Sequence, residues 1–577
     1  MPSARNTRCS ATHATALHVR VPSGTFAASS LIRVPRFGNG FPSTAVPSVL
    51  RLASVRNARV SAQLVVASSA RIDALRATVS ALVATHGAVI PAADVEVRYV
   101  GYVPFAPRNP KAGGATLAQV GGNAVSERDG KRVVADPLWP RGSVDVPANA
   151  AQPIWFTFRI RASVPPGVYR GHIVISAAHA RSTSYALTLT VNPPVLPDPG
   201  DGAFHFNVWF NPDAVATAYH VRPWSSAHWN WIRRYFRFLA KAGQRSILTT
   251  IVPQPWRVAW NGWKPQTAVG YDSMVQWAFN GTHWTFDFRR FDRYVQTALA
   301  AGLGPKIVAY SMLSFRGPQR LTYLDTRSGR TQHLTPAVGS PLWEYAWCAF
   351  TRAFATHLRQ RGWLDHTWLG FDERPAAILQ PALALLRRCA PEFLRRTELA
   401  GTQKVGPYAQ DLSLGLSSPR QVSNAWILQR HRHGKVTTFY TWAGDVHPNT
   451  LTFSPAVEAR EMGWIAARRH LDGYLHWAFD DWPPDVFKHP VYAFSQGDEY
   501  LVYPGPRGPV SSIRWKLLQE GVEDAELAHM ARQRAPHSPA LQAALRLATR
   551  NAYTGHKDVH DIARAHTMLV ALLDRAR

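Results

Sequence analysis

The sequence is poor in acids, poor in cysteines and free of long apolar runs, and each shortage excludes a class of protein. Its 37 Asp and Glu stand against 65 Lys and Arg, a formal net charge of +28, and no acid occurs before Asp73. Such an excess points first to nucleic acid. The basic residues, however, are mostly arginines scattered along the chain. They form no dense cluster and no zinc-finger or RNA-recognition motif, so no nucleic-acid partner is expected. Three cysteines, Cys9, Cys348 and Cys389, are too few for a disulfide framework or a four-cysteine zinc site. No stretch of about 18 uninterrupted apolar residues occurs, which excludes a membrane-spanning helix. A glycine-rich phosphate loop, HExxH and Gly-x-Ser-x-Gly are also missing, so nucleotide, zinc-protease and serine-hydrolase chemistry lack support. His431 and His433 flank Arg432 with no third ligand at a metal spacing, so neither a metal nor a cofactor is expected.

What is present is apolar mass. Hydrophobic residues make up 46% of 577, enough for large cores and, by length, for more than one domain. Residues 1–25 are acid-free and rich in Arg, Ser, Thr and Ala. They lack the apolar core of a secretory signal and read as a disordered leader or a start assigned too early. The compartment stays open between cytoplasmic and periplasmic or secreted. Residues 26–191 read as short strands (60–67, 154–160, 171–176, 185–191) punctuated by Pro and Gly, with one helix near 71–86; this pattern suggests a β-sandwich. A Pro/Gly-rich linker covers 192–202. Only two of the 21 tryptophans, Trp139 and Trp155, precede it.

Beyond the linker, strand-like and helix-like stretches alternate. Strands are expected at 204–210, 246–252, 306–312, 367–372, 397–400, 412–416, 435–441 and 473–477. Helices are expected at 225–242, 288–301, 342–360, 376–389, 419–433 and 454–470. Eight such units define a (β/α)8 barrel over 203–510, followed by a helical C-terminal segment over 511–577. The fold class is therefore multidomain: a β-sandwich, then a TIM-type barrel.

Active sites of such barrels lie at the C-terminal ends of the strands. The fourth strand ends in Asp372-Glu373-Arg374-Pro375, placing two adjacent carboxylates at the rim. The first ends near Trp209 and Asn211, the third at Tyr310, the seventh at Tyr440 and Trp442. The eighth ends in Trp477 and Asp480-Asp481-Trp482. Acids and aromatics on one mouth suit a carbohydrate: ring faces stack on pyranose C–H groups, and carboxylates handle protons and hydroxyls. Adjacent carboxylates raise the cost of ionising one another, so one member can stay protonated near neutrality.

These residues resemble glycoside hydrolase family 123, the β-N-acetylgalactosaminidases and their uncharacterised relatives, over roughly residues 26–530. The shared motifs include Asn207-Val-Trp-Phe-Asn-Pro212, Trp224-Ser-Ser-Ala-His-Trp229, Trp284-Thr-Phe-Asp287, Asp372-Glu-Arg-Pro375, Pro448-Asn-Thr-Leu-Thr-Phe-Ser-Pro455 and Gly497-Asp-Glu-Tyr500. In the sandwich, Asp136-Pro-Leu138 and Pro166-Gly-Val-Tyr-Arg-Gly171 match as well. The resemblance implies a retaining, substrate-assisted hydrolase of a terminal β-linked N-acetylhexosamine, N-acetylgalactosamine favoured, acting through an oxazoline. It implies that Asp372 orients the acetamide N–H, that Glu373 is the general acid and base, and that a tyrosine hydroxyl meets the acetamide oxygen. Tyr440 is the first candidate for that tyrosine and Tyr310 the second. Trp209, Asn211, Tyr310, Trp442, Trp477, Asp480, Asp481 and Trp482 are the expected sugar-binding residues. Two alternatives stay open: a direct carboxylate mechanism pairing Glu373 with Asp480 or Asp481 on a non-acetamido sugar, and a non-catalytic carbohydrate-binding protein. Oligomeric state is not legible.

Overall fold

The computed structural model describes residues 24–38, 49–108, 113–121, 124–256, 265–316, 320–417 and 421–575. The expected leader lies outside these, except Gly24 and Thr25, which begin the first strand (Gly24–Ala28).

Two sheets form the N-terminal domain. A six-stranded sheet runs from Gly24–Ala28 through Ala58–Ser68, Ala150–Ile160, Val95–Pro104 and Lys131–Trp139 to Val125–Arg128. A second sheet is built around Gly167–Ser176 and Thr183–Val195. Leu64, Ile154, Phe156, Tyr169 and Leu189 close the core between them. Ala150–Ile160 is buried at nearly every position, because the face turned away from this core packs on the barrel through Trp155. That explains its continuous apolar run.

The helix expected near 71–86 does not form. Ile72–Val79 and Leu82–Ala84 are strands that pair with Gly167–Ser176. Leu75 and Ala77 point inward with period two, so sheet pairing overrides an alanine-rich helical propensity. The linker also starts later than expected, since the last strand of the sandwich runs to Val195.

Eight parallel strands follow: β1 (His205–Val208), β2 (Ser246–Thr250), β3 (Lys306–Tyr310), β4 (Thr367–Phe371), β5 (Thr397–Gly401), β6 (Asp411–Gly415), β7 (Val436–Thr441) and β8 (Gly473–His476). Their order is β1-β8-β7-β6-β5-β4-β3-β2, so the barrel is closed except at the β1/β2 seam. There a single bridge joins Phe206 to Gln244, and the buried Gln244 amide replaces the missing ladder. Its Oε1 accepts the Val208 N–H at 3.0 Å, and its Nε2 donates to the carbonyls of Val208 and Ser246 at 2.9 and 3.0 Å.

Helices alternate with the strands, except between β5 and β6, where a short 3-10 turn (Gln403–Tyr408) stands in. Two features lay outside the sequence expectations. A four-stranded accessory sheet (Gln276–Phe279, Trp284–Asp287, Leu321–Asp325, Arg330–Leu334) brackets the helix Arg289–Ala300 and β3 in sequence. And two of the three cysteines are joined: a Cys348–Cys389 disulfide, Cα atoms 5.4 Å apart, ties the helix before β4 (Pro341–Arg361) to the helix after it (Ala376–Cys389). The C-terminal segment forms Ile513–Arg534, Pro539–Ala548 and Val559–Arg575. Among the described residues no helix is long and apolar enough to cross a membrane.

Candidate active site

β4 ends at Phe371, and the next two residues are the acids. Glu373 takes φ 46°, a left-handed conformation that costs an L-residue roughly 1–2 kcal/mol. In an extended chain successive side chains face opposite ways. With the turn, Asp372 and Glu373 line one cavity of about 360 Å³. The Glu373 N–H donates to the Ala400 carbonyl at 3.2 Å, fixing the turn against β5.

The strand ends supply the walls: Trp209 after β1, Ala400 on β5, Tyr440 on β7 with Trp442 just beyond it, and Leu475 on β8 followed by Trp477. Loops add Gln266, Phe315 and Arg316, and the segment after β8 adds Phe494 and Asp498. Trp442 stands at the rim, 40% exposed. Beneath the carboxylates lies an aromatic floor in which Trp209, Trp256 and Tyr310 meet with ring centroids 4.7–5.1 Å apart. β4 has a glycine at 370 because a Cβ there would meet the Tyr310 ring at 2.5 Å.

The two acids have different partners. The Trp256 indole donates to Asp372, while the Tyr440 hydroxyl donates to Glu373. Water still reaches Asp372 through the cavity, yet enough protein surrounds it that lost solvation raises its carboxyl well above the ordinary range. The neighbouring Glu373 charge pushes the same way. Burial likewise raises the Tyr440 hydroxyl, with Glu373 adding to it, so Tyr440 is a firm donor. Asp498 is pushed up to about 8 by burial, and its Oδ2 accepts Trp477 Nε1 at 3.0 Å.

Of the expected residues, Asp372, Glu373, Tyr440, Trp209, Trp442 and Trp477 meet at this cavity. The others do not line it, and each has a packing reason. Asn211 caps the helix Pro212–Ala218, its Oδ1 accepting the N–H groups of Asp213 and Ala214. Asp480 accepts the Asn211 N–H at 2.8 Å, and Asp481 accepts the Tyr271 hydroxyl at 3.2 Å, both behind the wall. Trp482 is buried, with Nε1 on the Val502 carbonyl. Tyr310 lies in the floor and donates to Glu398 at 3.2 Å. Sequence reasoning missed Trp256, Gln266, Phe315, Arg316 and Asp498, although Asp498 sat inside a quoted motif.

A larger cavity of about 720 Å³ adjoins the accessory sheet. Its Arg289 and Arg290 are already paired with Asp287 and Asp272, and Arg293 stacks on Trp229; no carboxylate pair faces it in the manner of Asp372 and Glu373. Among the described residues no group of three His, Cys, Asp or Glu could hold a metal ion.

Paired carboxylates in an aromatic-walled cavity at the C-terminal mouth of a parallel barrel define a carbohydrate-active hydrolase. The glycoside hydrolase 123 catalytic-domain family matches residues 209–531, and the glycoside hydrolase 123 N-terminal-domain family matches residues 42–177. The chain belongs to glycoside hydrolase family 123. A family 123 glycoside hydrolase from Clostridium perfringens, described for glycolipid glycan hydrolysis, has a similar structure. It is 20% identical, with 96% of this chain and 98% of that chain covered and a TM-score of 0.80. A xyloglucanase from Bacteroides ovatus is far more distant, at 7% identity, coverage of 87% and 100%, and a TM-score of 0.30. No curated protein sequence matches the chain.

Proposed function

We propose that the protein removes a terminal β-linked N-acetylhexosamine, N-acetylgalactosamine favoured, by a retaining mechanism in which the substrate supplies the nucleophile. One observation carries this reading: the left-handed turn at Glu373 brings both carboxylates of an Asp-Glu pair to one cavity, each with a different donor.

The acetamide oxygen attacks the anomeric carbon as the glycosidic C–O bond breaks. Glu373 gives its proton to the leaving oxygen, and the sugar becomes a protonated oxazoline (oxazolinium) whose N–H stays hydrogen-bonded to the Asp372 carboxylate. Glu373, now a carboxylate, takes a proton from water; that water opens the oxazoline and restores the acetamide. Asp372 accepts the acetamide N–H and stabilises the positive charge that develops on the ring. Burial and the neighbouring Glu373 charge raise the Asp372 carboxyl well above the ordinary range, which favours a proton on the more deeply set member of the pair. An N–H donor at Asp372 favours its ionised form, and coupling then moves the proton to Glu373, where the leaving group needs it. Tyr440, which donates to Glu373 in the free protein, turns its hydroxyl to the acetamide oxygen. The faces of Trp442 and Trp477 suit the apolar side of the sugar.

Asp480 and Asp481 lie behind the wall and do not line the cavity, which counts against either as the partner of Glu373. The test is a panel of chromogenic β-N-acetylgalactosaminide, β-N-acetylglucosaminide and matched non-acetamido glycosides, with a thiazoline analogue of the oxazoline as inhibitor. Turnover confined to acetamido sugars and blocked by the thiazoline is expected. Equal turnover of the non-acetamido sugars would sink the mechanism.

A further inference from the structure

The sandwich and the barrel meet at a buried charge cluster. Asp136, from the strand Lys131–Trp139, accepts from Arg33 (3.1 Å), the Tyr503 hydroxyl (2.8 Å) and Arg514 (2.9 Å to Nη2). Burial alone would raise its carboxyl, but Arg514 and Arg33 hold it below the ordinary range. Arg514 is itself fully buried, and its remaining nitrogen, Nη1, is spent on backbone. It donates to the carbonyls of Thr450, Gly497 and Tyr500 at 2.7, 2.8 and 2.8 Å.

Those three carbonyls flank the cavity walls. Gly497 and Tyr500 bracket Asp498, which lines the cavity and holds the Trp477 indole. Thr450 follows Asn449, whose Nδ2 donates to the carbonyls of Trp442 and Asp445 at 2.9 and 2.7 Å. A second strut runs beside the first. The Gln496 amide donates to the Pro104 carbonyl and accepts the Ala106 N–H, each at 3.0 Å. Ala115 N–H donates to the Ala443 carbonyl at 2.6 Å, and Ser495 Oγ to the Ala115 carbonyl at 2.7 Å. The contact also buries apolar side chains, Trp155 and Leu138 among them; beyond that, it spends a guanidinium and an amide on the two segments behind the sugar site.

We propose that the sandwich is a positioning element for the sugar cavity, acting from Asp136 through Arg514, and beside it through Gln496, on the segments that carry Trp442 and Asp498. Its effect on turnover rests on the glycosidase reading above; its effect on the segments does not. Neither Asp136 nor Gln496 lines the cavity, so their loss should loosen the walls and weaken binding more than it slows the chemistry.

The experiment compares full-length wild type, Asp136→Asn, Gln496→Ala and a control, Ile173→Val, in the sandwich core away from the barrel, at a temperature where circular dichroism shows each folded. Hydrogen–deuterium exchange should rise about fivefold or more in peptides covering 442–454 and 493–501 in both interface variants, and not in the control. On the chromogenic β-N-acetylhexosaminide, KM should rise about fivefold or more with a smaller change in kcat. Unchanged exchange in those peptides overturns the proposal, as does looser exchange with KM within about twofold of wild type, or the same response in Ile173→Val. If Asp136→Asn does not fold, Gln496→Ala decides alone. Absence of turnover in the wild type strikes the functional reading only, because the exchange arm needs no substrate.

Discussion

The barrel carries paired carboxylates at both ends, and the two ends treat them differently. At the floor, where β3, β5 and β6 begin, Lys306 sits between Glu398 and Asp411. Burial alone would lower the Lys306 ammonium, but the two acids hold it above the ordinary lysine range. At the mouth, Asp372 and Glu373 receive an indole N–H and a phenol O–H. These donors fix direction without supplying a full opposing charge. The floor cluster holds a cation in direct contact with its acids; at the mouth, Arg374 and Arg316 lower Asp372 less than burial and the Glu373 charge raise it. Residue types that look alike in the sequence thus serve as cement or, on the proposed reading, as catalyst according to what faces them.

That contrast can be broken at either end. The largest effect should come from Glu373→Gln, which keeps shape and hydrogen bonding but removes the transferable proton. Turnover of the chromogenic substrate should fall by about 10²–10⁴-fold, while denaturant unfolding stays within about 0.5 kcal/mol of wild type. Wild-type-like turnover would end the assignment of Glu373. Lys306→Met should do the opposite. It leaves two buried acids without their cation and should lower unfolding free energy by about 3–5 kcal/mol, with kcat of the folded fraction within about twofold. A large rate loss at full stability would show that the floor takes part in the chemistry.

The smallest effect concerns pH. Asp498, at about 8 in the fold against an ordinary value of about 3.9, is neutral where the unfolded chain is ionised. Its contribution to stability is therefore complete below about pH 4 and is lost as pH rises towards 8. Thermal scans should show Tm falling across that window, with Asp498→Asn flattening the fall by about 2 °C. An unchanged slope in Asp498→Asn would mean that its carboxyl titrates as an ordinary acid.

The barrel was legible because its parallel strands, buried at nearly every position, carry apolar and β-branched runs such as Ile307-Val-Ala-Tyr310 and recur between helical stretches. The carboxylate pair was legible because it closes such a run. The accessory sheet was not, since strands like Arg330–Leu334 are short, polar and largely exposed. Residues 71–86 misled because alanine favours a helix until a neighbouring strand offers pairing. Asp480 and Asp481 misled for a spatial reason. They follow β8 as Asp372 and Glu373 follow β4, but an isolated bridge from Asp480 to Tyr500 pulls that stretch under the wall. Asp498, which does line the cavity, comes from the returning segment, whose path no local pattern encodes.

The Cys348–Cys389 bond has a meaning in covalent topology. The chain between the two cysteines includes the whole of β4 with Asp372 and Glu373, so the carboxylate pair lies inside a closed ring that leaves and rejoins the main chain at two neighbouring helices. A single proteolytic cut anywhere on that ring releases no fragment and leaves the severed ends tethered. The strand that leads into the proposed catalytic pair is thereby the one stretch of the barrel, among the described residues, held in place by a bond as well as by packing.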